Sequence, residues 1–137
     1  MRVQIREDRW PIYQVTLYGD VDTKDAAEEV ANALTAPLQR RQRYVALVDT
    51  TLLGRTTHES RAAFSHCLKE REVDFVRFNI GTVIIVRSTL VRGLMASLNL
   101  IYRWATPNEF VSNVAEAERV LQGWLVAATI PDYSARE

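Results

Sequence analysis

The sequence has little of several features that define whole classes of protein. It contains one cysteine, Cys67, which cannot form an internal disulfide, so a reducing cytoplasmic location is expected. Only 5 glycines and 4 prolines interrupt a chain that is 47% apolar, which argues against disorder. The N-terminus lacks the apolar run of a signal peptide, and no stretch reaches the roughly 18 apolar residues of a membrane span.

Excess charge of either sign is also missing. Lys and Arg number 17 and Asp and Glu number 17, and like charges do not form long blocks. Nucleic acid is therefore not an expected partner, because a basic face usually dominates proteins that bind it. The length of 137 residues fits one domain. We expect that domain over residues 1–130 and a polar C-terminal tail over residues 131–137.

Strand and helix patterns alternate along the chain. The first half predicts a hairpin with its turn at Glu7–Arg9, a second strand that stops at Gly19, and a helix over Lys24–Arg41. A buried strand over Tyr44–Val48 and a loop over Thr50–Arg55 follow.

The second half continues the alternation. A capping box of Thr56 and Glu59 predicts the next helix start. The later elements are a strand over Thr82–Val86, a helix from Ser88 to about Trp104, a short strand at Phe110–Val111 and a last helix from Val114, capped by Asn113. This order predicts an α/β fold with a mixed sheet, an antiparallel N-terminal hairpin at its edge, a parallel remainder and about four helices.

Two apolar strands that end in aspartate carry a family resemblance. Leu17–Asp22 and Val45–Thr50, together with the Phe110 strand and a helix ending in Trp124–Leu125, resemble a STAS domain of the SpoIIAA-like branch. Anti-sigma factor antagonists have this fold, and the branch is similar to lipid-carrying Sec14 domains. The resemblance covers most of the chain and implies a module of bacterial signalling that acts through protein contacts.

In that family a serine in an Asp-Ser-Ser-Gly segment is phosphorylated by a partner kinase. The corresponding window here is Thr57–Ser60, which lacks the motif. Thr56, Thr57 and Ser60 are hydroxyl groups at a helix start, where the helix dipole favours an anion. Glu59 would repel a phosphate there, and helix capping is the preferred role of Thr56.

The predicted interaction surface has two parts. One is the loop and helix start from Leu52 to Ser60, and the other is the helix Ser88–Trp104, whose apolar face is wider than one sheet needs. Four explanations of this wide apolar face remain open. The face could contact a protein partner, form a homodimer, line a pocket for an apolar ligand, or be covered by the last helix. The candidate residues are Leu53, Thr56, Thr57, His58, Ser60, Leu100 and Trp104.

Polar residues at the predicted strand ends form a second candidate cluster, which consists of Asp20, Asp22, Asp49, Arg87 and Ser88. The run Asp20–Thr23 superficially resembles the nucleophile motif of haloacid-dehalogenase-type phosphatases, but its threonine comes one position early. An acidic turn that caps the first helix is the preferred reading, so no catalytic residues are predicted.

No metal or other cofactor is predicted. His58 and His66 are too far apart in sequence for two ligands from one helix. Cys67 belongs to the apolar side of its helix, where a thiol is inert.

The densest basic group is Arg40, Arg41 and Arg43. Such a group usually marks the solvent-exposed end of a helix. The alternative is that it binds a lipid headgroup or a phosphoprotein.

Together these patterns favour a non-enzymatic regulatory or scaffolding module that binds protein. A Sec14-like binder of an apolar or lipid ligand is the alternative, and a small phosphatase-like hydrolase using Asp20 comes third.

Overall fold

A five-stranded mixed sheet forms the centre of the computed structural model, which describes residues 3–87 and 106–128. The strands lie in chain order: β1 (Val3–Arg9), β2 (Ile12–Val21), β3 (Tyr44–Thr56), β4 (Asn79–Ile85) and β5 (Asn108–Val111). β1 pairs with β2 antiparallel, and the other neighbours are parallel. The predicted fold class is therefore confirmed.

Four α-helices and one 3₁₀ helix accompany the sheet in the described ranges. They are α1 (Lys24–Thr35), the 3₁₀ helix (Ala36–Arg40), α2 (His58–Glu70), α3 (Glu72–Phe78) and α4 (Val114–Ala127). Thr23 caps α1 and Asn113 caps α4, each through a side-chain oxygen that accepts from a backbone N–H. The predicted helix Ser88–Trp104, with Leu100, and the tail 131–137 lie outside the described residues.

The helices cover the two faces of the sheet separately. α1, α2 and α3 pack on one face with Tyr13, Val15 and Val48, and α4 packs on the other with Val45 and Leu47. β3 is central, so its residues alternate between these two apolar clusters. This double burial explains why the strand reads as a continuous apolar run.

Several predicted boundaries were wrong. The hairpin turns at Trp10–Pro11 instead of Glu7–Arg9, and β2 passes Gly19, which has a positive φ of 77°, to end at Val21. The predicted loop Thr50–Arg55 belongs to β3, which pairs with β2 as far as Thr56.

The helices also differ in detail from the prediction. α1 ends at Thr35 instead of Arg41, and Pro37 lies in the first turn of the 3₁₀ helix, because proline lacks the N–H that α1 would need. α3 was not predicted. β4 begins at Asn79, three residues before the expected start at Thr82.

One close contact fixes the distance between α4 and the sheet. The Trp124 ring lies over Gly81 of β4, and a Cβ built at that position would come within 2.6 Å of Trp124 Cζ3. At the opposite edge of the same face, Arg9 pairs with Glu118 of α4, with Nη2 2.9 Å from Oε2. The contact with the Trp124 ring therefore explains why position 81 is a glycine.

We expect Gly81→Ala to lower the free energy of unfolding by about 1–3 kcal/mol, because the added methyl group must displace the Trp124 ring. Gly123→Ala is the matched control, since a Cβ there meets no atom within 4 Å. It should raise the free energy of unfolding by about 0.5–1 kcal/mol by improving helix propensity. Urea denaturation measures both, and equal effects would contradict the contact.

Candidate functional site

The segment from Leu52 to Ser60, named here the β3–α2 junction, carries most of the predicted partner-binding residues. Thr57 is the N-cap of α2: its Oγ1 accepts from the Ser60 N–H at 3.1 Å, and Ser60 Oγ accepts from the Thr57 N–H at 2.9 Å. This is a capping box one residue later than the predicted pair of Thr56 and Glu59, which was wrong. Thr56 is the last residue of β3, so it cannot also cap the helix.

Two aspartates from the end of β2 hold the junction from the side. Asp20 Oδ1 accepts from the Arg55 backbone N–H at 2.8 Å, and Asp22 Oδ2 accepts from Arg55 Nη2 at 2.8 Å. The Asp20 carboxylate lies where a side chain on Gly54 would point, so a larger residue there would have to displace it. The hydrogen bond to Asp22, with the charges of Asp22 and Asp20, raises the pKa of Arg55.

A further hydrogen bond joins this corner to the helix cap. Thr57 Oγ1 donates to the backbone carbonyl of Asp22 at 3.2 Å, so the hydroxyl serves the end of β2 and the start of α2 together. Arg61 Nη1 donates to Thr56 Oγ1 at 3.1 Å on the next turn. The β3–α2 junction is therefore held by side chains from the end of β2 and from the first turns of α2.

The predicted partner-binding residues differ in accessibility. Ser60 is only 1% exposed, and Leu53 is half-buried against the apolar cluster below α1 and α2. Thr56 and Thr57 are half-buried, while His58 is exposed.

Sequence reasoning did not single out two exposed side chains of the junction. Leu52 is 64% exposed, and the Arg55 side chain is 72% exposed. The local sequence did not indicate that these two side chains are exposed, because their exposure depends on how far β3 extends beyond the core of the sheet.

The predicted strand-end cluster divides into separate groups. Asp20 and Asp22 share Arg55, whereas Asp49 pairs with Thr16 in the β2–β3 register and accepts from the N–H and Oγ1 of Thr51. Arg87 is exposed after β4, and Ser88 lies outside the described residues. The carboxylates of Asp20, Asp22 and Asp49 are thus bound to partners within the chain.

An apolar cavity of about 90 Å³ lies between the sheet and helices α1 and α2. Leu17, Val30, Val48, Phe64 and Phe110 contribute to its wall. Pockets for drug-sized ligands typically measure about 300–1,000 Å³, so this space is small for a lipid chain.

Metal-binding geometry is not found in the described ranges, where no three His, Cys, Asp or Glu side chains group together. His66 instead pairs with Glu70 one turn later, with Nε2 2.7 Å from Oε1. Cys67 is half-buried, and burial is the main cause that raises the pKa of its thiol, with Glu28 and Glu70 adding to the effect. None of the described helices is long and apolar enough to cross a membrane.

Comparison with known proteins identifies the fold. No family model and no curated protein matches the chain. Among solved structures, the anti-sigma factor antagonist SpoIIAA in its unphosphorylated form is similar, with a TM-score of 0.57 and 13% sequence identity over 88% of this chain and 98% of that one. The chain therefore has a STAS-like fold, as its strand-end residues suggested.

Removal of the α2 cap should be measurable. We expect Thr57→Ala to lower the free energy of unfolding by about 1–2 kcal/mol, because the Ser60 N–H loses its acceptor. Thr57→Ser keeps the oxygen and should stay within about 0.5 kcal/mol of the original chain. Chemical denaturation monitored by circular dichroism measures the difference, and an unchanged Thr57→Ala variant would rule out the capping role.

The Cys67 thiol should react slowly. Because burial raises its pKa, a smaller fraction is thiolate near pH 8 in the folded chain than in the unfolded chain. We expect the pH profile of iodoacetamide alkylation to lie at higher pH for the native chain than in urea. Cys67→Ser, which removes the only thiol, gives the background rate. Coincident native and unfolded profiles would contradict this environment.

Proposed function

We propose that this protein is a non-enzymatic regulatory or scaffolding module whose β3–α2 junction binds a protein partner. The observation that carries the proposal is an exposed, apolar Leu52 on a junction whose backbone is fixed by side-chain hydrogen bonds. Similarity to an anti-sigma factor antagonist supports a regulatory role in signalling.

The rigidity of the junction supports binding because a fixed surface loses little conformational entropy in a complex. Asp20 and Asp22 restrain Arg55, and Thr57 joins the end of β2 to the cap of α2. Leu52 offers exposed apolar area at the start of this surface, and the exposed side chains of Arg55 and His58 follow it in the chain. An apolar centre with a polar rim is the usual anatomy of a protein interface.

Phosphorylation is not part of the proposal. The hydroxyls of Thr57 and Ser60 already act in the helix cap, and Ser60 is buried. A kinase would have to open the first turn of α2 to reach Ser60. We therefore assign both hydroxyls to structure and place recognition on the exposed residues beside them.

The non-enzymatic part of the proposal rests on the state of the aspartates. A nucleophilic carboxylate needs a free oxygen aimed into a substrate site, together with a base and groups that stabilise charge. Asp20 instead holds the Arg55 backbone, and Asp22 holds its guanidinium.

Binding of an apolar ligand and formation of a homodimer are secondary proposals. The cavity of about 90 Å³ supports only a small apolar guest, so we rank a lipid-carrying role below protein binding. The proposed dimer contact is the apolar face of the predicted helix Ser88–Trp104. Size-exclusion chromatography at two protein concentrations tests it.

A single charge on the junction should abolish partner binding. We expect Leu52→Asp to reduce recovery of a specific protein at least about tenfold in affinity isolation from the source organism, since the interface would bury an unpaired carboxylate. Quantitative mass spectrometry compares the recovered proteins.

Val126→Asp is the matched control, because Val126 is 75% exposed on α4, outside the β3–α2 junction. It should retain the partner. Both variants should show the circular dichroism spectrum of the original chain. Partner recovery that Leu52→Asp leaves intact, or that both variants remove equally, would overturn the proposed surface.

A further inference from the structure

The helix α3 has apolar residues on two opposite sides. Phe75 and Phe78 are buried beneath it, at 5% and 7% exposure, while Val73 and Val76 point outwards at 82% and 60% exposure. A short helix needs only one apolar side to pack on a domain. The outward pair is three residues apart, so Val73 and Val76 form one continuous apolar strip on the surface.

Exposed arginines lie at the C-terminal end of α3. Arg41 and Arg77 both stack on the Phe78 ring, with guanidinium carbons 5.0 and 5.3 Å from its centroid. Arg41 has a positive φ of 51°, a conformation that few side chains other than glycine adopt, and it turns the chain at the end of the 3₁₀ helix. Arg43 directly precedes Tyr44, whose register partner Asn79 follows Phe78.

These arginines bring three positive charges to the surface around α3, whose own acids Glu72 and Asp74 bring two negative charges. In residues 3–87 and 106–128, the ion pairs join other side chains, and none includes Arg41, Arg43 or Arg77. The acids on α3 itself, Glu72 and Asp74, form no ion pair with them. We name Arg41, Arg43, Val73, Val76 and Arg77 the α3 patch.

We propose that the α3 patch binds the surface of an anionic lipid bilayer. Guanidinium groups bind phosphate and carboxylate headgroups through paired hydrogen bonds, and the valine side chains enter the boundary between headgroups and acyl chains. The two kinds of side chain occur together at the end of the sheet where β3 and β4 begin. One end of the molecule can therefore face a plane.

The shape of the patch favours a bilayer over an acidic protein. A protein hot spot usually seats an aromatic or arginine anchor in a pocket. The apolar cavity between the sheet and helices α1 and α2 has none of the patch residues in its wall. Exposed valines near arginines can instead insert into a fluid lipid surface, which does not need a preformed pocket.

Sedimentation of the full chain with lipid vesicles tests the proposal. Vesicles of phosphatidylcholine with about one third phosphatidylserine should bind it, vesicles of phosphatidylcholine alone should not, and added salt should weaken binding by screening. Arg41→Gln and Arg77→Gln should each lower the partition coefficient about fivefold, and the double variant about 25-fold. Val73→Ser with Val76→Ser should lower it further by removing the inserted area.

Matched variants on α4 serve as controls. Arg119 and Val126 are exposed on the opposite face of the sheet, so Arg119→Gln and Val126→Ser should leave vesicle binding unchanged. Leu52→Asp should also leave it unchanged, which separates this proposal from the protein contact of the β3–α2 junction. Circular dichroism confirms that each variant is folded.

Three results would overturn the proposal. Equal binding to both kinds of vesicle would remove the role of the arginines, and an Arg119→Gln loss equal to that of Arg77→Gln would remove the role of the α3 patch. Binding to soluble polyglutamate without binding to anionic vesicles would show that the partner of the patch is an acidic protein and not a bilayer.

Discussion

Burial of both faces of β3 is the constraint on which the other features depend. The strand crosses the centre of the sheet, and Tyr44 to Val48 are each no more than 5% exposed. Such a strand is stable only if helices cover it on both sides, because the parallel arrangement leaves no face for water. α1, α2 and α3 form one cover and α4 forms the other, and the contact of Trp124 with Gly81 shows how closely the second cover packs.

The side chains of β3 can therefore contact a partner only near the ends of the strand. A side chain in the middle of β3 meets a helix on either face, whereas residues before Tyr44 or after Asp49 can reach the surface. The β3–α2 junction and the α3 patch lie at these two ends. The junction is held in place by polar contacts such as those of Asp20 and Thr57, in addition to the packing of Leu53 against the apolar cluster.

The sequence predicted the parts of the fold that follow from periodicity. The alternation of strands and helices, the mixed sheet and the cap at Asn113 were predicted, because apolar spacing and capping residues are local signals. The cap of α1 was expected from Asp22 or Thr23, and Thr23 provides it. The STAS-like resemblance followed from two strands that end in aspartate. It is confirmed by a solved structure that shares only 13% of its residues with this chain.

The details that failed depend on contacts between distant residues. The extension of β3 to Thr56 is set by pairing with β2 and by Asp20 over Gly54, which moves the helix cap from Thr56 to Thr57. α3 has seven residues, too few for a clear helical period. The separation of Asp49 from Asp20 is likewise a matter of register, which a single sequence does not reveal.

The length of β3 also determines how the molecule could be oriented. Its 13 residues span about 40 Å at the usual rise of a strand, from Tyr44, which follows Arg43 of the α3 patch, to Thr56 in the β3–α2 junction. Ligands at the two ends would not collide, and a molecule resting on a bilayer would hold its junction towards the solvent. A partner captured there would search in two dimensions instead of three, so encounters with other membrane-bound proteins would become more frequent without any new contact.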